Sequence, residues 1–183
     1  MHLKQVKNDK LCSSNNIILS IIRFGIFNLK EALSGKDTNE LGEFITKFNE
    51  PAYKGKQISK WIYQRYISEF DKMTDLSKEL RKNLAENFDV SQSSVSTKIE
   101  SEDGTIKYLI KLNDGSSVEC VNISHPDHHT ACLSTQVGCN VKCPFCATGL
   151  SGYKRNLKPW EIVDQYLLMQ KDSEERISQI VFM

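Results

Sequence analysis

Between Thr130 and Met183 the chain runs strand, loop, helix, strand, and this order constrains the fold more than any other feature. "TACLST" (130–135) reads as a strand. A helix is expected from about Pro159, since proline suits the first helical position. Trp160, Ile162, Val163, Tyr166, Leu167 and Met169 give that helix a broad apolar face. "ISQIVFM" (177–183) reads as a buried strand. A strand–helix–strand crossover needs a parallel sheet to complete it. Two parallel strands cannot bury both of their faces, so the segment predicts the front part of a longer domain.

Upstream, the period of the apolar residues is two. "TIKYLIKL" (105–112) and "SSVECVNI" (116–123) are strand candidates, and "NDG" (113–115) between them is a strong hairpin signal because Asp-Gly tolerates positive φ. "DVSQSSVST" before them reads as a Ser-rich linker. Earlier still the period is helical. Asp37 and Glu40 predict a capping box. Stripes follow through Leu41, Phe44, Ile45 and Phe48, then Ile58, Trp61, Ile62 and Tyr66, then Leu76, Leu80, Leu84 and Phe88. The expected organisation is an N-terminal extension (1–36), a helical accessory domain (37–90), and a hairpin with a first βαβ unit (96–183). The fold class lies between α+β and α/β.

The 183 residues are 39% hydrophobic and 26% charged, with a net charge of +1, so no global polycation argues for nucleic acid. The charge is uneven. His128 to Trp160 holds no Asp or Glu but has Lys142, Lys154, Arg155 and Lys158; Pro51 to Ser68 holds no acid but has Lys54, Lys56, Lys60 and Arg65. Either stretch is a solvated basic face or a phosphate-binding one. No apolar run is long enough to span a membrane. Ile17 to Phe27 is apolar but short and contains Arg23, which fits a packed helix better than a targeting segment.

"GCNVKCPFCATG" (138–149) places Cys139, Cys143 and Cys146 within eight residues. "CPFC" has the form of a redox dithiol, but none of Pro51, Pro126, Pro144 and Pro159 supplies the facing cis-proline that such a fold uses. Structural zinc needs a fourth ligand, from Cys120, Cys132, His125, His128 or His129, and zinc ligands come in separated pairs rather than three on one loop. Three thiolates on a four-iron cluster leave one iron open to a small molecule. With an aromatic residue, Phe145, before the last cysteine, C-x3-C-x2-C resembles the motif of the radical S-adenosylmethionine (SAM) superfamily.

The flanks narrow the resemblance. "ACLSTQVGCNVKCPFCATGLSGYKRNLKPWEIVDQ" (131–165) is similar to the adenine-C-2 RNA methyltransferases of the RlmN/Cfr-like family, and "EPAYKGKQISKWIYQRYISEFDKMTDLSKELRKNL" (50–84) to that family's N-terminal accessory domain. The resemblance covers about residues 38–183. It implies the start of a (β/α) radical SAM barrel with chemistry at the carboxyl ends of its strands. It implies methylation of carbon 2 of adenine in 23S rRNA and tRNA, with a 4Fe–4S cluster and SAM as cofactors and an external electron donor such as flavodoxin. In the family one SAM methylates an enzyme cysteine, a second yields the radical that abstracts hydrogen from that methyl group, and another cysteine resolves the adduct.

Residue by residue, the resemblance makes Cys139, Cys143 and Cys146 the cluster ligands, Cys132 the resolving cysteine and Glu119 the proton acceptor. Phe145 would pack on the adenine of SAM. Lys154, Arg155 and Lys158 would meet RNA phosphate, and the 51–68 face would hold an RNA stem. Cys12 and Cys120 match no family position. A cytoplasmic monomer is expected. The family continues beyond "QIVFM" into further SAM contacts and a methyl-carrying cysteine, and no cysteine follows Cys146 here. The chain is therefore expected to be a truncated front portion, inactive alone. The alternative is a non-catalytic iron–sulfur or zinc module that binds RNA.

Overall fold

The structure, a computed structural model, describes residues 30–183. Cys12 and the apolar segment 17–27 lie outside the described residues. Residues Glu31–Met183 form one unit with two hydrophobic cores.

The first core belongs to three helices: α1 (Thr38–Thr46), α2 (Tyr53–Tyr63) and α3 (Lys78–Asn87), with a 3-10 turn at Phe70–Lys72. The capping box at α1 forms as expected. Asp37 Oδ1 accepts the N–H groups of Asn39 and Glu40, and Glu40 accepts that of Asp37. Leu41, Ile45, Ile58, Ile62 and Leu84 are buried together. α1 and α2 cross at Gly42 and Gly55, where a Cβ on Gly55 would lie 2.3 Å from the Gly42 nitrogen, so no larger residue fits at this crossing. The α2 stripe ends sooner than its apolar period suggests: Tyr66 lies beyond the helix with φ of 55°. The short parallel pair β1 (Glu31–Ala32) and β2 (Phe88–Asp89) closes this core. Leu33, expected in the N-terminal extension, is fully buried within it.

The second core lies beneath a five-stranded sheet ordered β3 (Ser94–Glu100), β4 (Ile106–Lys111), β5 (Ser117–Ser124), β6 (His129–Leu133) and β9 (Ile177–Phe182). The first four strands are antiparallel neighbours, and β6 pairs with β9 in parallel. The hairpin and the βαβ unit thus share one open sheet, and the fold is mixed α/β. β3 corrects the linker expectation for its part of "DVSQSSVST". The register shifts between Val95, opposite Ile110, and Thr97, opposite Leu109, so Val95 lies on one face while Thr97 and Ile99 lie on the other, and the two-residue period is broken. Tyr108, Ile110, Val118, Cys120, Ala131 and Leu133 point to one side and are covered by α5 (Pro159–Asp172), the crossover helix.

α5 joins the two cores. Leu167 packs into the first and Met169 into the second. Its polar residues are buried as well. Asp164 is fully buried; one carboxylate oxygen accepts the Ser34 hydroxyl at 2.6 Å and the other accepts the N–H groups of Gln92 and Ser93, both at 3.1 Å. A buried carboxylate is tolerated only when its oxygens are satisfied in this way. Gln170 holds the start of β9 through the Ile177 N–H, and Asp172 receives Lys98 from β3 and Tyr108 from β4. Among the described residues, no helix is long and apolar enough to cross a membrane.

Burial raises the Asp164 carboxyl above the ordinary aspartate value, against the hydrogen bonds that lower it. Between the ordinary value and the raised one, the folded chain holds more protons than the unfolded chain, so the stability this group contributes falls as pH rises. Asp164→Asn, which turns an amide N–H₂ toward existing donors, is expected to lose about 1–3 kcal/mol. Urea unfolding of both proteins should show a larger gap between them at about pH 4 than at about pH 7.

Candidate functional site

Cys139, Cys143 and Cys146 sit on a loop that leaves the sheet at the carboxyl end of β6. Its neck is a two-stranded pair, β7 (Gln136–Val137) with β8 (Arg155–Asn156). The Lys154 N–H donates to the Val137 carbonyl at 2.9 Å and the Leu157 N–H to the Thr135 carbonyl at 2.8 Å. Gly138 has φ of 74°, and a Cβ on it would lie 1.7 Å from the Gly152 carbonyl oxygen. Only glycine allows the loop to close on itself at this point. Within the loop, Lys142 has φ of 56°, the Cys146 N–H donates to the Cys143 carbonyl, and one short turn, α4 (Ala147–Leu150), follows.

All three thiols are partly exposed. Among the described residues, no three His, Cys, Asp or Glu side chains stand close enough to hold a metal ion, so the loop carries the sulfurs without drawing them together. Their chemistry suits an iron–sulfur cluster: three soft donors on one short segment, with no carboxylate from His128 to Trp160 to compete. Phe145 is 88% exposed and belongs to neither core.

Cys132 and Glu119 are close neighbours on the sheet. Cys132 faces Val121 across the β5–β6 pair, which puts Glu119 two positions along the same face, on the side away from α5. The Ser134 hydroxyl donates to the Glu119 carbonyl at 2.6 Å. The Glu119 carboxylate is half exposed, 3.2 Å from Lys107. Burial raises the Cys132 thiol pKa above its ordinary value. Cys120, on the covered face, is fully buried and pushed up to about 12, chiefly by burial and then by Cys132.

The three cations beside the loop differ. Lys154 and Lys158 are exposed, Lys158 with its ammonium 5.7 Å from the Trp160 ring centre. Arg155 is engaged instead with two carboxylates. It forms a bidentate pair with the buried Glu161, two bonds of 2.7 Å, and a further bond to Asp114 in the β4–β5 turn. A fork so occupied has little left to offer a phosphate. At the other end of β6, His125 stacks on His128, which pairs with Asp127, while His129 contacts Asn122 and Glu175.

Sequence reading overlooked the partners that hold the loop. Gln165 is fully buried; its amide accepts the Ser134 N–H at 2.9 Å and donates to the Ser134 carbonyl at 3.0 Å. Glu161 also accepts the Lys158 N–H. Glu161 and Gln165, four apart and so on one face of the helix beside Ile162 and Tyr166, were the available signal.

Alkylation with iodoacetamide, read by mass spectrometry, should separate the cysteines. Cys139, Cys143 and Cys146 should label readily at neutral pH, Cys132 should label only at higher pH than a free thiol, and Cys120 should resist until the chain unfolds.

Residues 32–90 match the family model for the ribosomal RNA large subunit methyltransferase N-terminal domain. Over 157 residues, 84% of this chain and 43% of the relative, the sequence is 41% identical to a probable dual-specificity RNA methyltransferase RlmN from Staphylococcus saprophyticus. It is 42% identical over the same length to the protein of that name from Staphylococcus aureus. The crystal structure of a radical SAM methyltransferase from Sphaerobacter thermophilus superimposes with a TM-score of 0.76 at 35% identity, covering 82% of this chain and 45% of that one. The chain thus spans less than half the length of the curated relatives it matches. Residues 32–90 thus carry the N-terminal domain of the RlmN-type methyltransferases, and over most of its length the chain matches a part of those relatives and of a radical SAM methyltransferase.

Proposed function

We propose that this chain carries the front part of the machinery of a radical SAM methyltransferase acting on carbon 2 of adenine in 23S rRNA and tRNA. The observation that carries this reading is the three-thiol loop at the carboxyl end of β6, with Cys132 and Glu119 together on the neighbouring open face. Cys139, Cys143 and Cys146 would hold a 4Fe–4S cluster, which with SAM supplies the one-electron chemistry that an unactivated aromatic carbon requires. Phe145, exposed beside these sulfurs, is available to lie against the adenine of SAM. Cys132 would supply the sulfur for the resolving step once its thiol, raised by burial, has lost its proton, and Glu119 an acceptor for the proton that carbon 2 gives up.

Lys154 and Lys158 are the exposed cations suited to RNA phosphate, and Lys56 and Lys60 on the acid-free α2 segment suit a stem, whereas Lys54 is paired with Glu50. Arg155 is left out, since Glu161 and Asp114 occupy it. The open edge of β9, where Ile180, Val181 and Phe182 are exposed, supports continuation of the parallel sheet into a (β/α) barrel. On this reading the chain alone does not complete the methylation cycle. It works in the cytoplasm as part of a monomeric enzyme supplied with electrons by a flavodoxin-like donor.

Anaerobic reconstitution tests the centre. About four irons per chain, with broad visible absorption lost in Cys143→Ala, are expected. Stoichiometric zinc with no iron would overturn the reading in favour of a zinc module. For RNA, Lys154→Glu with Lys158→Glu should weaken binding to a stem-loop and lower the salt slope by about two, one for each phosphate that is no longer neutralised.

A further inference from the structure

Both ends of the cysteine loop are held from outside the loop, by one helix. At the entry, the Gln165 side-chain amide pairs with the N–H and C=O of Ser134, as a neighbouring strand would. At the exit, Glu161 takes two N–H groups of Arg155 and the N–H of Lys158. Residues 161 and 165 are one turn apart on the same face of α5. Both residues are at most 1% exposed, so water has little access to these two side chains. The loop has little else to set its shape. Its neck pairs only two residues on each side, and Val141, Phe145 and Leu150 point into solvent.

We propose that Gln165 and the Arg155–Glu161 pair are positioning residues that set the separation of the loop's two ends, and through it the spacing at which Cys139, Cys143 and Cys146 meet an iron–sulfur cluster. None of the three touches a reacting atom. The proposal rests on the cluster reading above. It differs from a merely stabilising role in one respect. Asp164, on the same helix and equally buried, binds Ser34, Gln92 and Ser93 and does not touch the loop. Loss of Asp164 should weaken the fold without altering the loop.

The test uses the full 183-residue chain as wild type, Gln165→Leu, Glu161→Gln and Asp164→Asn. Two properties are measured: hydrogen–deuterium exchange of peptides covering 135–157, and the rate at which a chelator removes iron after anaerobic reconstitution. In Gln165→Leu and Glu161→Gln, exchange at the Lys154 and Leu157 amides should rise about tenfold relative to β5, as expected for the loss of one or two buried hydrogen bonds. Iron should leave several-fold faster than from wild type. Asp164→Asn should show neither change despite its lower melting temperature. If Gln165→Leu does not fold, Gln165→Glu, which keeps the acceptor for Ser134 and loses the donor, carries the comparison at smaller amplitude. Neck exchange no greater than in Asp164→Asn overturns the proposal, as does faster exchange with unchanged iron loss. A wild-type chain that takes up no iron sinks the cluster reading instead, and the exchange comparison alone then supports the clamp or overturns it.

Discussion

The row of buried polar side chains along α5 is the constraint that organises everything around it. An amphipathic crossover helix ordinarily turns polar residues to water and apolar ones to the sheet. Here four polar residues of α5 are buried, each with partners in a different segment. Glu161 engages Arg155 at the loop exit, Gln165 engages Ser134 at the loop entry, Asp164 the accessory segment, and Gln170 the start of β9. Each bond is modest alone, but a buried group left without its partner costs more than the bond contributes. The segments therefore have one satisfied arrangement around the helix, and mismatched ones are penalised.

This arrangement accounts for the division of labour around the cysteines. The loop itself is lightly packed, with apolar side chains in solvent, so it can adapt to a bound group. Its two ends are bonded to α5 through Gln165 and Glu161. The charge pattern follows the same division. Arg155 is consumed in organising the neck, while Lys154 and Lys158 keep their charges at the surface. The open face of the sheet presents Cys132 and Glu119 on the side that α5 leaves uncovered. The candidate residues and the buried core thus occupy opposite faces of the same strands.

Much of this was legible in the sequence. Period-two and helical alternation located α1, α2, α3, β4, β5, β6 and α5, because burial of one face imposes those periods directly, whereas β9, read as buried from its apolar run, exposes Ile180, Val181 and Phe182. Asp37 with Glu40 and Asp114 with Gly115 marked a helix start and a turn, since both are local hydrogen-bonding or φ requirements. The strand β3 was missed because its bulge between Val95 and Thr97 breaks the two-residue period and serines dilute what remains. Leu33 was missed because it follows a two-residue strand, a segment too short to show a period.

Family and candidate ligands are written in the chain itself, since three cysteines within eight residues and their flanking motifs are properties of neighbouring positions. How those residues are served was settled by the packing of distant segments. Packing turned Cys120 into the core and Cys132 to the open face, a consequence of strand parity and register. It paired Glu119 with Lys107, and it gave Arg155 to Glu161 and Asp114. It also made Gln165 the partner of Ser134, 31 positions away in the chain. Such pairings depend on which faces meet after the crossover helix packs, and a polar residue's partner across that distance leaves no periodic trace in the sequence.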